Sequence, residues 1–154
     1  QTLEETGMSV QKEFDCVALA RKMDIFSIVY VAKPEEAKAM AEAGADVIIA
    51  HVGCTVGGSI GAVDATVSLD EAAAQTQAII DAGKSVRDDI IYLSHGGPIL
   101  TPSDAAFINE RTDAVGFVGA SSLERMAVEQ SLINLTQEFK SIPVKRMANI
   151  SITR

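Results

Sequence analysis

The chain has 154 residues, 47% of them apolar, and its 13 basic and 21 acidic side chains give a formal charge of −8 at pH 7. This length and apolar content suit one folded domain with a sizeable core and exclude a disordered chain. The negative charge argues against nucleic acid and membrane surfaces as partners, whereas a small anion can still bind to oriented N–H groups.

No stretch of the sequence has enough consecutive apolar residues to span a bilayer, and no charged-then-apolar leader precedes the first predicted helix. The two cysteines, Cys16 and Cys54, are too few for a disulfide framework and suit a reducing compartment. We therefore expect a cytoplasmic protein.

Helical and strand patterns alternate in the first third of the chain. Apolar residues at helical spacing predict a helix over 8–23, and a β-branched run predicts a strand at 26–32. Pro34, two acidic residues behind it and a stop at Gly44 predict a short second helix. A second strand is predicted at 47–52.

The alternation continues to the end of the chain. A helix is predicted over 69–83, and a strand follows at 90–94. The next helix begins at the cap Thr-Pro-Ser-Asp of residues 101–104, and a fourth strand is predicted at 114–118. The last helix, 121–139, opens on Ser-Ser-Leu-Glu, which has the pattern of a capping box.

Continuous apolar strands separated by helices predict a parallel sheet. Two architectures fit, a small doubly wound open sheet and half of an eight-stranded barrel. Glycine-rich, functional-looking sequences follow the second, third and fourth strands in succession, as around a barrel mouth, whereas an open sheet gathers its site at one switch point. This favours an α/β fold of half a (β/α)8 barrel, four parallel strands alternating with helices over residues 1–142. The basic tail at 143–154 is not assigned a structure.

The two histidines, His51 and His95, each stand at the end of a predicted strand and shortly before a glycine. Since ligands bind at the carboxyl ends of parallel strands, we expect both imidazoles on the active face. They could exchange protons near neutral pH or donate hydrogen bonds to a carboxylate or enolate oxygen, and the alternative is a buried ring bonded to a backbone carbonyl. Zinc bound through His51 and Cys54 falls short of the four ligands of a structural site, so no metal site is predicted from these residues.

A phosphate site is predicted after the fourth strand, where Gly-Ala-Ser-Ser turns directly into a helix. The N–H groups of a first helical turn and two hydroxyls converge there, and two glycines after the third strand would form the other wall. Alternatively, Ser121 and Glu124 only cap the helix, which does not exclude phosphate binding. The residues of this predicted site are Gly96, Gly97, Gly119, Ala120, Ser121 and Ser122.

The loop at 53–68 has sixteen residues, longer than the usual connection between a strand and a helix, and its glycine-rich centre permits unusual backbone angles. It is a candidate lid, with a flexible connection as the alternative. Arg125 either pairs with a substrate carboxylate or is a surface charge. Further candidate substrate-binding residues in the loop are Gly53, Thr55, Gly57 and Gly58.

Three segments together are distinctive: AHVGCTVGGSIGA at 50–62, SHGGPI at 94–99 and GFVGASSLER at 116–125. With LEETGM at 3–8, they resemble the phosphoenolpyruvate hydrolase-like TIM-barrel family, whose members are also described as TIM-barrel signal transduction proteins and are related to a barrel domain of a plant virus-resistance protein. The resemblance implies that this chain is the carboxy-terminal half of the barrel, with the four predicted strands as the fifth to eighth.

The resemblance implies an enzyme, a hydrolase or lyase acting on a small phosphorylated or phosphonate keto acid, with His51 and His95 as acid, base or oxyanion donors. It also implies a catalytic or magnesium-binding role for Glu5, for which a solvated or capping role is the alternative. The acidic metal-binding motifs of phosphoenolpyruvate mutases are not visible, so the cofactor stays open, with a divalent cation such as Mg²⁺ the one considered. The second hypothesis is a regulatory or interaction domain that binds a ligand without turnover.

Two kinds of partner are expected. One is a small anionic phosphorylated metabolite. The other follows from the strand count, because four strands are half of the eight that close a barrel and the outer two would expose apolar edges. The missing amino-terminal half of the barrel or a second copy of the chain would then cover them.

Overall fold

The computed structural model describes residues 5–59, 61 and 67–143, and the alternation of helices and strands in it follows the predicted order. The predicted basic tail lies outside the described residues, apart from residue 143. The helices are α1 (Val10–Lys22), α2 (Pro34–Ala43), α3 (Leu69–Lys84), α4 (Pro102–Arg111), α5 (Ser121–Glu124) and α6 (Met126–Ser141), and the strands are β1 (Ile28–Val31), β2 (Val47–His51) and β3 (Ile91–His95).

The three strands form one parallel sheet in the order β1-β2-β3. Because neighbours in the sheet are also neighbours in the chain, the sheet winds in one direction, as the wall of a barrel does, without the reversal of a doubly wound sheet. The register places His51 of β2 directly beside His95 of β3. The fold is therefore α/β, with the topology of part of a barrel.

The predicted fourth strand needs a correction, because residues 114–118 pair with β3 only through a bridge between Ser94 and Phe117. Backbone bonds still run along β3, since the Val118 N–H donates to the Ser94 carbonyl over 2.9 Å. Gly116 in the middle of the run adds no side chain to pack, and Val115 beside it is 73% exposed. The described sheet thus has three strands and one bridged segment in place of four strands.

The helices cover one face of this sheet. Ile48 of β2 and Tyr92 of β3 are buried in a cluster with Met40 of α2 and Ile79 of α3. Ile48 and Tyr92 are paired in the sheet register, so their side chains point to the same face. The helix layer and the sheet share their core on this side.

The opposite face of the sheet is more open to solvent. Ile28 and Tyr30 of β1 and Ile91 of β3 are 58%, 47% and 45% exposed, whereas Ile49 of the central strand is buried. In a closed barrel the corresponding face lines the interior. His51 and His95 belong to this face because they lie two residues beyond Ile49 and Leu93.

The signals for helix ends are confirmed in α2 and α4 and fail at the last helix. Gly44 ends α2 with a φ of 99°, and Thr101 caps α4 by accepting a hydrogen bond from the Asp104 N–H. The predicted capping box at Ser121 is wrong, because Ala120 is the cap residue of α5 and no side chain caps this helix. The single predicted helix is also divided, since α5 ends before Arg125 and α6 begins after it.

Two further expectations concern the whole chain. Both cysteines, Cys16 and Cys54, are free and exposed, so they do not form a disulfide with each other. Among the described helices, none combines the length and the apolar character that crossing a membrane requires.

Candidate functional site

The structure brings the two histidines together at the carboxyl ends of β2 and β3. Their ring centroids are 5.0 Å apart, with the planes tilted by 50°. His95 is buried and His51 is half-buried. Parallel strands in register place these side chains side by side, which makes a pair of imidazoles that one small ligand can contact.

Each imidazole uses Nδ1 in a contact with the backbone. Nδ1 of His95 lies 2.7 Å from the carbonyl oxygen of Val118, in the segment bridged to β3. Nδ1 of His51 accepts a hydrogen bond from the Gly53 N–H over 3.3 Å. These contacts fix the orientation of both rings and leave Nε2 of each as the ring nitrogen available to a ligand.

Tyr30 of β1 belongs to the same cluster, although the sequence patterns did not single it out. Its ring packs edge-on against both imidazoles, with centroid distances of 5.9 Å to His51 and 5.1 Å to His95. The ring of Phe117 stacks on His95 with a centroid distance of 6.5 Å. Strand alternation was the available signal, since Tyr30 falls on the sheet face that carries the histidines.

The surroundings of His51 favour its neutral form. Burial lowers the pKa of His51 below its usual 6.5, and positive charge on His95 lowers it further, while a hydrogen bond to its own backbone acts in the opposite direction. At neutral pH the ring of His51 is therefore an uncharged imidazole.

A cavity of about 340 Å³ opens beside the histidines. Among the described residues that line it, Arg125 carries the only formal charge and none is a carboxylate. Such a lining suits a neutral or anionic ligand better than a cation. The lining residues are His51, Cys54, Thr55, Gly61, His95, Ala120, Ser121 and Arg125.

Arg125 also fastens the loop after β2 to the start of α6. Its guanidinium donates to the Glu129 carboxylate over 3.0 Å and to the Gly57 carbonyl over 3.3 Å. The other oxygen of Glu129 accepts from the Ser59 N–H over 2.9 Å. The backbone bond from Ser59 and the bond from Arg125 hold the pKa of Glu129 below its usual value. Arg125 thus forms a half-buried ion pair with Glu129 at the cavity wall.

The glycines predicted as a phosphate wall after β3 contact the loop that follows β2. The Gly97 N–H donates to the Gly53 carbonyl over 2.8 Å, and a side chain at Gly97 would come within 2.7 Å of the Val52 carbonyl oxygen. Gly97 itself has a φ of 55°, which favours glycine. Neither Gly96 nor Gly97 is among the described residues that line the cavity.

The other predicted residues divide between lining and supporting positions. Ser121 and Ala120 of the predicted phosphate turn reach the cavity, whereas Gly119 and Ser122 are not among its described lining residues. Gly58, like Gly57, lies in the loop that Arg125 and Glu129 hold. Glu5 is exposed at the start of the described chain and is not among the lining residues either.

The described residues do not form a metal site. Within residues 5–59, 61 and 67–143, no group of three or more His, Cys, Asp or Glu side chains could hold a metal ion. Magnesium prefers oxygen ligands, and the described cavity lining offers imidazoles, hydroxyls and a thiol without a carboxylate. This donor set does not fit Mg²⁺, and no chemical step is assigned to a metal here.

The parallel sheet, wound in one direction with the cavity at the carboxyl ends of its strands, has the fold of part of a TIM barrel. Within the class of TIM-barrel proteins, the chain belongs to the phosphoenolpyruvate hydrolase-like family, which it matches over residues 1–142. The resemblance seen in its sequence segments is therefore confirmed.

Two similar proteins come from tomato, Solanum lycopersicum. They are the ToMV susceptible protein tm-1(GCR26) and the ToMV resistance protein Tm-1(GCR237), each 49% identical to this chain over 146 residues. The aligned region covers 94% of this chain and 19% of either tomato protein. The chain thus spans about a fifth of the length of these relatives.

Among solved structures, the chain is similar to the N-acetylmannosamine-6-phosphate 2-epimerase of Clostridium perfringens. The TM-score is 0.50 at 14% identity, and the match covers 84% of this chain and 48% of the epimerase. The epimerase is a TIM-barrel protein, so this likeness supports the fold and its extent of about half a barrel.

Proposed function

We propose that the protein is a phosphoenolpyruvate hydrolase-like enzyme that binds a small phosphorylated or phosphonate keto acid in the cavity and acts on it by acid/base chemistry. The observation that carries this proposal is the pair of imidazoles with centroids 5.0 Å apart in one cavity. Imidazole exchanges protons near neutral pH, and two of them on one ligand can serve as acid and base. Family membership supports the same class of substrate.

The composition of the cavity lining supports an anionic substrate. The hydroxyls of Thr55 and Ser121 and the guanidinium of Arg125 can donate hydrogen bonds to a phosphate or carboxylate group. Part of the charge of Arg125 is balanced by Glu129, so the hydroxyls contribute to anion binding as well. The histidines then face the carbonyl end of the substrate.

Binding of phosphonopyruvate, a phosphonate keto acid, tests this proposal through two neighbouring serines. Ser121 lines the cavity and Ser122 is not among its described lining residues, so Ser122→Asp is a matched control for Ser121→Asp. A carboxylate at Ser121 should repel the anion and weaken binding by about tenfold or more, because like charges within a few ångströms cost over 1 kcal/mol near a protein surface. Ser122→Asp should have a much smaller effect. Calorimetric titration measures both, and equal affinities for wild type and Ser121→Asp would remove the anion site.

The second candidate function is a ligand-binding or interaction domain without turnover. It is favoured by the names of the two tomato relatives, which describe virus resistance and susceptibility and no reaction. The variants His51→Ala and His95→Ala separate the two candidates. They should abolish turnover in an enzyme and leave partner binding intact in an interaction domain.

The exposed sheet face supports the two proposed kinds of macromolecular partner. Either the missing amino-terminal half of the barrel or a second copy of the chain would cover Ile28, Tyr30 and Ile91, which are about half exposed here. We place this function in the cytoplasm, where the free, exposed thiols of Cys16 and Cys54 would stay reduced.

A further inference from the structure

The two histidines contact the backbone through Nδ1 in opposite senses. The partner of His95 is a carbonyl oxygen, which can only accept a hydrogen bond, so Nδ1 of His95 carries the proton. The ring of His51 accepts a hydrogen bond from the Gly53 N–H, which can only donate, so Nδ1 presents its lone pair in this bond, although the residue's own backbone favours a protonated ring. The protein backbone therefore selects a different tautomer for each ring.

A neutral imidazole has one N–H, so these contacts also set the state of Nε2. Nε2 of His95 has a free lone pair, and Nε2 of His51 carries a hydrogen. We infer that His95 is the proton acceptor of the cavity and His51 its hydrogen-bond donor, and that the cavity takes a carbonyl compound with an acidic proton next to the carbonyl group. The substrate class rests on the proposed function, whereas the two tautomers do not depend on it.

The groups around the rings keep this division intact. Tyr30 and Phe117 flank the pair, and the described cavity lining adds Cys54 and Arg125 without a carboxylate that would hold either imidazole as a cation. Burial and the neighbouring His95 both lower the pKa of His51. Positive charge on His95 therefore disfavours a proton on His51, so the two rings do not act as two equivalent acids.

The chemical step uses only a proton transfer. Nε2 of His95 takes a proton from the carbon next to the carbonyl, and the electron pair of that C–H bond forms a C=C bond. The π pair of the carbonyl moves to its oxygen, which the Nε2–H of His51 stabilises as an enolate. The Val118 carbonyl stabilises the imidazolium through Nδ1–H of His95. Return of the proton to carbon restores both rings, so no oxidant or reductant is required.

Long-range ¹H–¹⁵N correlation spectra of the ¹⁵N-labelled chain at neutral pH report both tautomers directly. We expect His95 to show a protonated Nδ1 and an unprotonated Nε2, and His51 to show the reverse. The chain has two histidines, so His51→Gln and His95→Gln each remove one set of signals and assign the other. Sequential assignment of the wild-type backbone gives the same information if either variant does not fold.

The same tautomer in both rings, or a doubly protonated His51 at neutral pH, would overturn the inference. Titration of the same sample with phosphonopyruvate, a phosphonate keto acid with acidic protons next to its carbonyl, separates this result from the proposed function. Binding together with identical tautomers would refute the division of roles and leave the substrate class standing. Opposed tautomers without binding would support the division of roles and count against the substrate class.

Discussion

His51 links the chemistry of the site to the stability of the fold. Its pKa is lowered in the folded protein, first by burial and then by His95, whereas in the unfolded chain it returns to about 6.5. Above that value both states are neutral at this residue and folding is unaffected. As the pH falls below it, the unfolded state binds the proton first, so the free energy of unfolding decreases until the pH passes the folded pKa.

The variant His51→Gln should therefore lose part of this pH dependence. Urea unfolding at about pH 7.5 and about pH 5.5 measures the change in free energy, which should be smaller in the variant than in wild type. Asp46 does not interfere, because the Ser27 N–H lowers the pKa of its carboxyl below its ordinary acidic value. Equal changes in the two proteins would show that His51 titrates alike in the folded and unfolded states.

The pairing of His51 and His95 could be predicted from the sequence, because each residue ends a run with strand character and parallel strands end at one edge. The contact with Tyr30 depends on the register of β1 against β2, which the apolar pattern alone does not determine. The ion pair of Arg125 with Glu129 fits the i, i+4 spacing of a helix. The hydrogen bond from the Ser59 N–H to Glu129, which joins residues seventy positions apart, results from tertiary packing.

Among the structural elements, the loop after β2 and the first turn of α6 are held together by Glu129. This carboxylate accepts from Arg125 on its own helix and from the Ser59 N–H in the loop. The variant Glu129→Gln should weaken both bonds, because it replaces charge-assisted hydrogen bonds with neutral ones. We expect amide hydrogen exchange over residues 57–59 to become about threefold faster or more.

Glu138→Gln is the matched control, since Glu138 is an exposed residue of the same helix α6. It removes the same charge and should leave exchange in the loop unchanged. Unaltered exchange at residues 57–59 in Glu129→Gln would mean that other contacts hold the loop in place. Accelerated exchange in both variants would point to the net charge of α6 as the cause.

Helix ends were predictable where one residue decides them. Gly44 ends α2 because it adopts a left-handed conformation in which a side chain would also come within 2.9 Å of Arg21. The pattern at residues 121–124 satisfies a capping box equally well, yet Ser121 lies at the cavity and caps nothing. Local sequence cannot distinguish a serine that caps a helix from one that faces a cavity, because both begin a helical turn after a strand.

At the scale of the whole molecule, the sheet separates a packed side from an open one. The side under α2 and α3 is buried, whereas apolar side chains on and beside the other face are 45–73% exposed, among them Ile28, Ile91 and Val115. Fully burying an exposed apolar side chain is worth about 1.5–3 kcal/mol, and these partly exposed side chains would each contribute a corresponding fraction of it. Association through this face would bury several of them at once.

We therefore expect the purified chain to form dimers or larger species, or to bind an added amino-terminal half of the barrel. Static light scattering over a dilution series measures the mass. Ile91→Lys, which places a charge on the open face, should shift the chain toward monomer, while Gln75→Lys on the exposed side of α3 adds the same charge and should not. A dilution-stable monomer with cooperative unfolding in the wild-type chain would contradict the need for a partner, because the half-open sheet would then be stable with its apolar face in water.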